Sequence, residues 1–277
     1  DAIDIVNQEY GLTSGLESLD LREIEKWKKS VNAGNLYINR GITGAIVQRQ
    51  AFGGFLNSRS AYGYGIKAGG PNYLIQFMRI TEGKSQNFQD INIPKDLEFK
   101  IFEKISNTVI NYYWWMKSYF LLEDDQSKIL GQDNYLIYKK GVKPFMIRIN
   151  EFDNLEDVLK IICASIICQS NPVISVSQKW NFLDDLMEFK NRFNIYIEKE
   201  KKMFKHFNKV CFVRVLNTKN LELDTIKNIS NNGLSIVGHK PYINGRFELL
   251  WYLQEQSISE NFHRYGNLIF REKKIKA

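Results

Sequence analysis

The chain has 277 residues, of which 44% are hydrophobic and 25% charged, so it can bury a core and general disorder is excluded. Its net charge of +7 gathers at 199–209 and 271–276, where solvated helix faces and a solubilising tail explain it more simply than nucleic-acid binding. Three cysteines argue against a disulfide framework and fit a reducing, cytoplasmic environment. No apolar run is long enough to span a bilayer, so at most a peripheral membrane contact is expected.

The first part of the chain is predicted to be mixed α/β. The segment "AIDIVNQE" has helical spacing. A second helix follows the N-cap residue Asp20 and carries Leu21, Ile24 and Trp27 on its apolar face. The segment "YGLTSGL" is predicted to be an extended stretch, and "NLYINR" is a predicted short strand that precedes a long glycine-rich loop. After this loop, residues 72–80 alternate in polarity and are also predicted to form a strand.

The remainder is predicted to form a second unit, residues 97–277, after a polar, turn-rich linker at 81–96. This unit opens with an aromatic helical stretch, whose spacing predicts core packing by Tyr112, Trp115 and Tyr119. The segment "GQDNYLIYKKGVKPFMIRIN" is predicted to be a hairpin. Helices and strands then alternate, which is typical of an α/β sheet with parallel crossovers.

The cysteines do not resemble a reactive or metal-binding set. Cys163 and Cys168 lie in an apolar helical segment without a nearby histidine, and Cys211 lies in a predicted strand. Free cysteines in such places act as small hydrophobic side chains. The histidine and cysteine spacings do not fit a zinc site, so no metal ligands are predicted.

Four motifs in the first 80 residues give the chain a family resemblance. The series "YGLTSGL", "AGNLYINR", "GAIVQRQAFGG" and "GIKAGGPNY" resembles the C-terminal end of the aldehyde dehydrogenase superfamily, most of all L-glutamate γ-semialdehyde (Δ1-pyrroline-5-carboxylate) dehydrogenase. Ala51 stands where that family has a proline. The segments "GQDNYLIYK" and 245–272 resemble the long bifunctional flavoproteins that join this dehydrogenase to a proline dehydrogenase.

The resemblance implies a fold and a division of the chain. Residues 1–80 would be the C-terminal end of the catalytic and oligomerisation region of an α/β aldehyde dehydrogenase fold. Residues 97–277 would be a Rossmann-like α/β covering domain that ends in the motif 245–272. The family also implies oligomerisation through the predicted strand 72–80.

The resemblance further implies a substrate site in the glycine-rich loop. Gly44 and Ala45 match the family's anchor for the substrate α-carboxylate, which accepts hydrogen bonds from backbone amides. Phe52 matches the aromatic residue that packs along the substrate's methylene chain. Arg40 and Arg49 could also neutralise a carboxylate, although structural ion pairs are the simpler interpretation.

No catalytic or cofactor-binding residue is predicted within this chain. In the family the nucleophilic cysteine, the glutamate base and the NAD-binding unit precede the segment "YGLTSGL", so we expect them upstream of Asp1 in an intact enzyme. FAD is expected only if a proline dehydrogenase is fused to it. Residues 158–177 resemble the helix, turn and strand of the family's NAD-binding unit, but lack its Lys-Pro pair and a G-x-G-x-x-G loop.

The terminal segment offers serine, histidine and glutamate side chains without a nucleophile elbow to arrange them. Its polar residues are interpreted as part of a structural tail that covers the dehydrogenase active site, and they are Glu255, Ser257, Ser259, His263, Arg264, Tyr265 and Asn267.

Two accounts of function stay open. The chain is either the C-terminal part of an NAD-dependent dehydrogenase, inactive alone, or a stand-alone lid or assembly module that acts in trans on a separate dehydrogenase. A basic anion-binding or nucleic-acid-binding domain is a third, weaker interpretation, and its binding would fall steeply with salt.

Overall fold

The computed structural model describes residues 2–8, 10–59, 63–81, 88, 91–123, 125, 127–264 and 267–268. Its α-helices are α1 (Ala2–Val6), α2 (Leu21–Ser30), α3 (Ser106–Trp115), α4 (Leu155–Ile167), α5 (Leu183–Met187), α6 (Leu223–Asn231) and α7 (Gly245–Glu248). Its strands are β1 (Thr13–Leu16), β2 (Asn35–Ile38), β3 (Gln132–Lys140), β4 (Met146–Ile149), β5 (Val173–Val176), β6 (Asn194–Ile197), β7 (Phe212–Val215), β8 (Ser235–Gly238), β9 (Leu253–Asn261), β10 (His263–Arg264) and β11 (Asn267–Leu268). The longer 3₁₀ segments are Lys100–Ile105 and Glu200–Lys209.

A five-stranded parallel sheet lies within residues 97–277, with the strand order β6-β5-β4-β7-β8. Its inner strands β4, β5 and β7 are rich in β-branched residues and almost wholly buried, as strands covered on both faces must be. In chain order the strands run 3-2-1-4-5, which is a doubly wound arrangement. The predicted α/β fold with a parallel, Rossmann-like sheet is therefore confirmed.

A second sheet has the order β1-β2-β9-β3. Strand β2 pairs in parallel with β1 on one side and with β9 on the other, and Asn35 lies opposite Ser257. Strand β3 pairs antiparallel with the full length of β9. This sheet combines two strands from residues 1–80 with two from residues 97–277. The division of the chain at 81–96 stays a prediction.

The predicted hairpin between β3 and β4 is wrong. The antiparallel partner of β3 is β9, whereas β4 lies inside the five-stranded sheet between β5 and β7. The buried strand β4 has parallel hydrogen-bonding partners on both sides, and β9 provides the backbone hydrogen-bonding partners of β3. Pairing with a distant strand has therefore replaced the local turn.

The predicted strand at 72–80 is also wrong, because Tyr73–Phe77 is a 3₁₀ helix. An extended segment needs a neighbouring strand for its backbone amides and carbonyls, and no described strand pairs with this one. A local turn satisfies some of them instead, as the amide of Met78 bonds to the carbonyl of Ile75 at 3.1 Å. Leu74, Phe77 and Met78 are exposed.

The predicted helical faces are largely confirmed. Ile24 and Trp27 of α2 are buried, but Leu21 is exposed because it lies in the first turn beyond the covered face. Tyr112 is fully buried, and Trp115 and Tyr119 pack against the main core. None of the helices in the described part of the chain has the length and apolar character needed to cross a membrane.

Some predictions fall on residues that the structure does not describe. They concern most of the predicted linker, at 82–87, 89 and 90, and the end of the terminal motif, at 265, 266 and 269–272.

Candidate functional site

The predicted anchor residues Gly44 and Ala45 lie in an exposed loop, residues 41–49. Gly44 has a φ of +80°, in the left-handed region that favours glycine. A Cβ at Gly44 would meet no atom within 4 Å, so the space beside this backbone is open. Neither amide donates a hydrogen bond to another described residue, which leaves both available to an acceptor such as a carboxylate.

The base of this loop is fixed by Gln50. The amides of Arg49 and Gln50 donate to the carbonyl of Ile46 at 3.0 and 2.8 Å. The buried Gln50 side chain donates from Nε2 to Asn134 Oδ1 at 2.5 Å and to Ser259 Oγ at 3.2 Å. The open loop is therefore held at its base against β3 and β9.

Phe52 presents a partly exposed ring on a fixed main chain. Its amide donates to the carbonyl of Ala68 and its carbonyl accepts the amide of Ala68, both at 2.9 Å. The side chain is 41% exposed, although its neighbours Ala51 and Gly53 are buried. Such a ring can cover the hydrocarbon part of a ligand.

The two arginines beside the loop differ in their contacts. Arg40 donates from Nη1 to Ser259 Oγ at 2.6 Å, and its guanidinium lies 5.3 Å from the centroid of the Tyr37 ring. These contacts hold the end of β2 to β9. Arg49 is exposed, and among the described residues it forms no ion pair.

A buried polar network lies beside the bridge between Phe52 and Ala68. The carboxylate of Glu255 accepts the backbone amide of Lys67 at 2.8 Å and Asn72 Nδ2 at 2.5 Å. Arg246 donates from Nη2 to Asn72 Oδ1 at 2.6 Å. Burial raises the pKa of Glu255 and lowers the pKa of Lys67 to about 7. The burial of Lys67 is not predictable from the sequence, because a lysine in a glycine-rich segment carries no local signal of burial.

All three cysteines are buried free thiols. Burial raises the pKa of Cys163 and Cys168 far above the usual range and that of Cys211 to about 11. At neutral pH these groups are protonated and poor nucleophiles. The described residues contain no cluster of three or more histidine, cysteine or acidic side chains that could hold a metal ion.

The hydroxyls of the terminal motif are used in structural contacts. Ser257 Oγ donates to the carbonyl of Ala51 at 2.5 Å, and Ser259 Oγ donates to Asn134 Oδ1 at 2.8 Å. Both serines are buried, whereas His263 is exposed. These contacts fit the interpretation of β9 as a structural element.

The N-terminus of α4, where the doubly wound sheet would bind a dinucleotide, does not suit one. The turn after β4 reads "NEFDN", with no glycine, and Asn154 caps the helix by accepting the amide of Asp157. The buried carboxylate of Asp153 accepts the amide of Asn150 at 2.7 Å, so a negative group already occupies this turn. A pyrophosphate would be repelled here, so the residues at this end of the sheet do not fit NAD.

The basic segment 199–209 is amphipathic, and it buries Met203 and Phe207. Lys201 pairs with Glu222 and Asp224, and Lys205 pairs with Glu198. Part of the positive charge is therefore neutralised locally, which weakens the case for a nucleic-acid surface.

Comparisons with known proteins agree with the motifs. The model of the aldehyde dehydrogenase family matches residues 1–82. The 1-pyrroline-5-carboxylate dehydrogenase of Geobacillus sp. (strain WCH70) is 49% identical over 79 residues, which are 28% of this chain and 15% of that protein. The enzyme of the same name from Bacillus subtilis (strain 168) is 51% identical over 73 residues, 26% of this chain and 13% of that protein.

One solved structure is similar over almost the whole chain. Proline Utilization A (PutA) from Corynebacterium freiburgense is 27% identical, with a TM-score of 0.69, and the match covers 96% of this chain and 24% of that one. The resemblance predicted from the motifs is thus confirmed: residues 1–82 are similar to the aldehyde dehydrogenase family. More particularly, this segment resembles 1-pyrroline-5-carboxylate dehydrogenases, and the chain as a whole resembles part of PutA. The chain spans only about a seventh of the length of those curated relatives.

Proposed function

We propose that the chain is the C-terminal portion of an NAD-dependent L-glutamate γ-semialdehyde dehydrogenase that acts in the catabolism of proline to glutamate. The observation that carries the proposal is the open pair of amides at Gly44 and Ala45, beside a loop base that is fixed to the sheet. The relatives named above support the choice of substrate.

In this proposal the chain binds and orients the substrate. The α-carboxylate of glutamate semialdehyde accepts hydrogen bonds from the amides of Gly44 and Ala45, which is a charge-assisted contact. The ring of Phe52 covers the methylene groups between the carboxylate and the aldehyde. Holding the carboxylate and the methylene chain of the substrate would place the aldehyde for attack, and such positioning accounts for a large part of enzymatic rate enhancement.

The bond-making residues would lie in other parts of the polypeptide, upstream of this chain. A cysteine thiolate there would attack the aldehyde, and NAD, when bound, accepts the hydride. The cysteines of this chain are unsuited to that role because they are buried and protonated. FAD belongs to the proposal only if a proline dehydrogenase is fused to the enzyme. The exposed apolar side chains of Leu74, Phe77 and Met78 are the proposed oligomer contact. The intact protein is proposed to be cytoplasmic.

Kinetics of the intact polypeptide test the proposal. Phe52→Ala should raise KM for glutamate semialdehyde and lower kcat, because the substrate loses its orientation. Gly44→Val should harm binding more, since a branched side chain would obstruct the anchor and strain a positive φ. The matched control is Phe152→Ala, at an exposed phenylalanine beside the other sheet. Unchanged kinetics in both loop variants would remove residues 44–52 from the site, and NADH formation by the 277 residues alone would contradict the proposed division of labour.

A second candidate is a non-catalytic module that acts in trans on a separate dehydrogenase. The second sheet favours it, because β9 pairs with β2 within the same chain. This alternative would be supported over the first if a polypeptide with the mass of this chain alone co-purified with a separate, larger dehydrogenase polypeptide.

A further inference from the structure

The main chain on both sides of Phe52 forms hydrogen bonds with buried side chains. On the N-terminal side, the carbonyl of Ala51 accepts a hydrogen bond from Asn35 Nδ2 at 3.1 Å. On the C-terminal side, the amide of Gly53 donates to Asn35 Oδ1 at 3.3 Å. One amide side chain from β2 therefore holds the residue before Phe52 and the residue after it.

Lys67 also forms hydrogen bonds with Asn35 and Gly53. Its ammonium group donates to the carbonyl of Gly53 and, at 3.0 Å, to Asn35 Oδ1. The next residue, Ala68, pairs with Phe52 through both of its backbone groups. Lys67 thus fixes the orientation of the Asn35 side chain and the position of the Gly53 carbonyl together.

The environment of Lys67 is costly for a lysine. The residue is 2% exposed, and within the described part of the chain no carboxylate forms an ion pair with its ammonium group. The nearby Glu255 attracts it but accepts its backbone amide instead. A buried charge without an ion pair reduces stability, and an apolar side chain of the same length would avoid this cost. The contacts that only the lysine can make are those to Gly53 and Asn35.

We infer that Lys67 is a positioning residue that, through Asn35 and the Gly53 carbonyl, holds Phe52 in the orientation that binds the hydrocarbon part of the substrate. The inference rests on the proposed function, since it assigns the substrate contact to Phe52. Lys67 itself need not touch the substrate.

A double-mutant cycle in the intact polypeptide tests the inference. Lys67→Met keeps the length of the side chain and removes its hydrogen-bond donors, so it should raise KM for glutamate semialdehyde by about tenfold. In a Phe52→Ala background the same substitution should change KM by less than about twofold, because residues that act through one another are not additive. The matched control is Lys139→Met, at a half-buried lysine that donates to the carbonyl of Lys28, and it should leave KM unchanged. Effects of Lys67→Met and Phe52→Ala that simply multiply would overturn the inference.

Hydrogen exchange in the same polypeptide separates this inference from the proposed function. Lys67→Met should accelerate exchange at the amides of Phe52 and Ala68 by at least about tenfold, and leave Ile147 in the five-stranded sheet protected as before. Unchanged exchange at Phe52 and Ala68, or equal acceleration at Ile147, would overturn the positioning role without reference to any substrate. If exchange accelerates locally but Phe52→Ala leaves KM unaltered, the substrate assignment of Phe52 is refuted, and the inference about substrate orientation falls with it.

Discussion

Replacement of Gly34 by alanine should separate β2 from the backbone beside Phe52. A Cβ at Gly34 would lie 1.9 Å from the carbonyl oxygen of Gly53 and 2.8 Å from Gly54 Cα. Gly34 also donates its amide to Gly11 and accepts the amide of Ser257, both at 2.9 Å. The new methyl group therefore meets backbone atoms at a point where three segments are joined.

The expected cost follows from these distances. Ordinary van der Waals contact at this position begins at 3.4 Å, so the two segments must move apart by about 1.5 Å. Overpacking of this kind costs about 1–3 kcal/mol, and the strained hydrogen bond to Ser257 adds about 1 kcal/mol. Reduced freedom of the unfolded chain returns about 0.4–1 kcal/mol. We expect a net loss of about 2 kcal/mol in the free energy of unfolding.

Urea denaturation of the two variants measures this loss. The matched control is Gly41→Ala, where an added Cβ meets no atom within 4 Å and φ is not positive. It should change the free energy of unfolding by less than about 0.5 kcal/mol. If Gly34→Ala is as stable as Gly41→Ala, the close approach of β2 to Gly53 is not a feature of the folded protein.

Three further predictions concern buried charges and thiols. Glu248→Ala should cost about 3–5 kcal/mol in urea denaturation, because it leaves the fully buried Arg214 without its carboxylate, whereas Glu222→Ala at an exposed pair should cost under about 1 kcal/mol. Burial lowers the pKa of Lys67 to about 7, so the folded protein loses this proton at a lower pH than the unfolded chain does. The free energy of unfolding of the wild type, relative to that of Lys67→Met, should therefore rise by about 2 kcal/mol from pH 7 to 9. A difference between the two proteins that does not change with pH would contradict the burial of this lysine. A thiol reagent should react only as the protein unfolds, and rapid labelling at neutral pH would contradict the burial of Cys163, Cys168 and Cys211.

The parallel sheet could be predicted because its signals are local. The strands "MIRI", "VISV" and "FVRV" are short, β-branched and separated by helices, and this pattern leaves few topologies. The cap at Asp20 was predictable for the same reason, since its side chain accepts the amide of Arg22 two residues away.

The second sheet could not be predicted, because its pairings join distant segments. Strand β9 lies between β2 and β3, and Asn35 faces a residue more than 200 positions along the chain. The segment after β3 therefore suggested a hairpin that does not form. The alternation at 72–80 likewise suggested a strand, although alternation alone supplies no hydrogen-bonding partner.

The candidate site was only partly accessible from the sequence. Gly44, Ala45 and Phe52 were found by resemblance to a family, and the structure describes their exposure and backbone contacts. The roles of Asn35 and Lys67 depend on enclosure by β2, β9 and the glycine-rich loop together. Such enclosure appears only when the distant segments are assembled.

If this chain works as one part of a larger dehydrogenase polypeptide, the cell should contain it only within a much longer protein. An antibody raised against residues 245–272, applied to an extract of the source cells, measures the mass of the native polypeptide most directly. We expect a band far above 32.5 kDa, the mass of this chain. A band at 32.5 kDa would contradict it and leave the module that acts in trans as the better account.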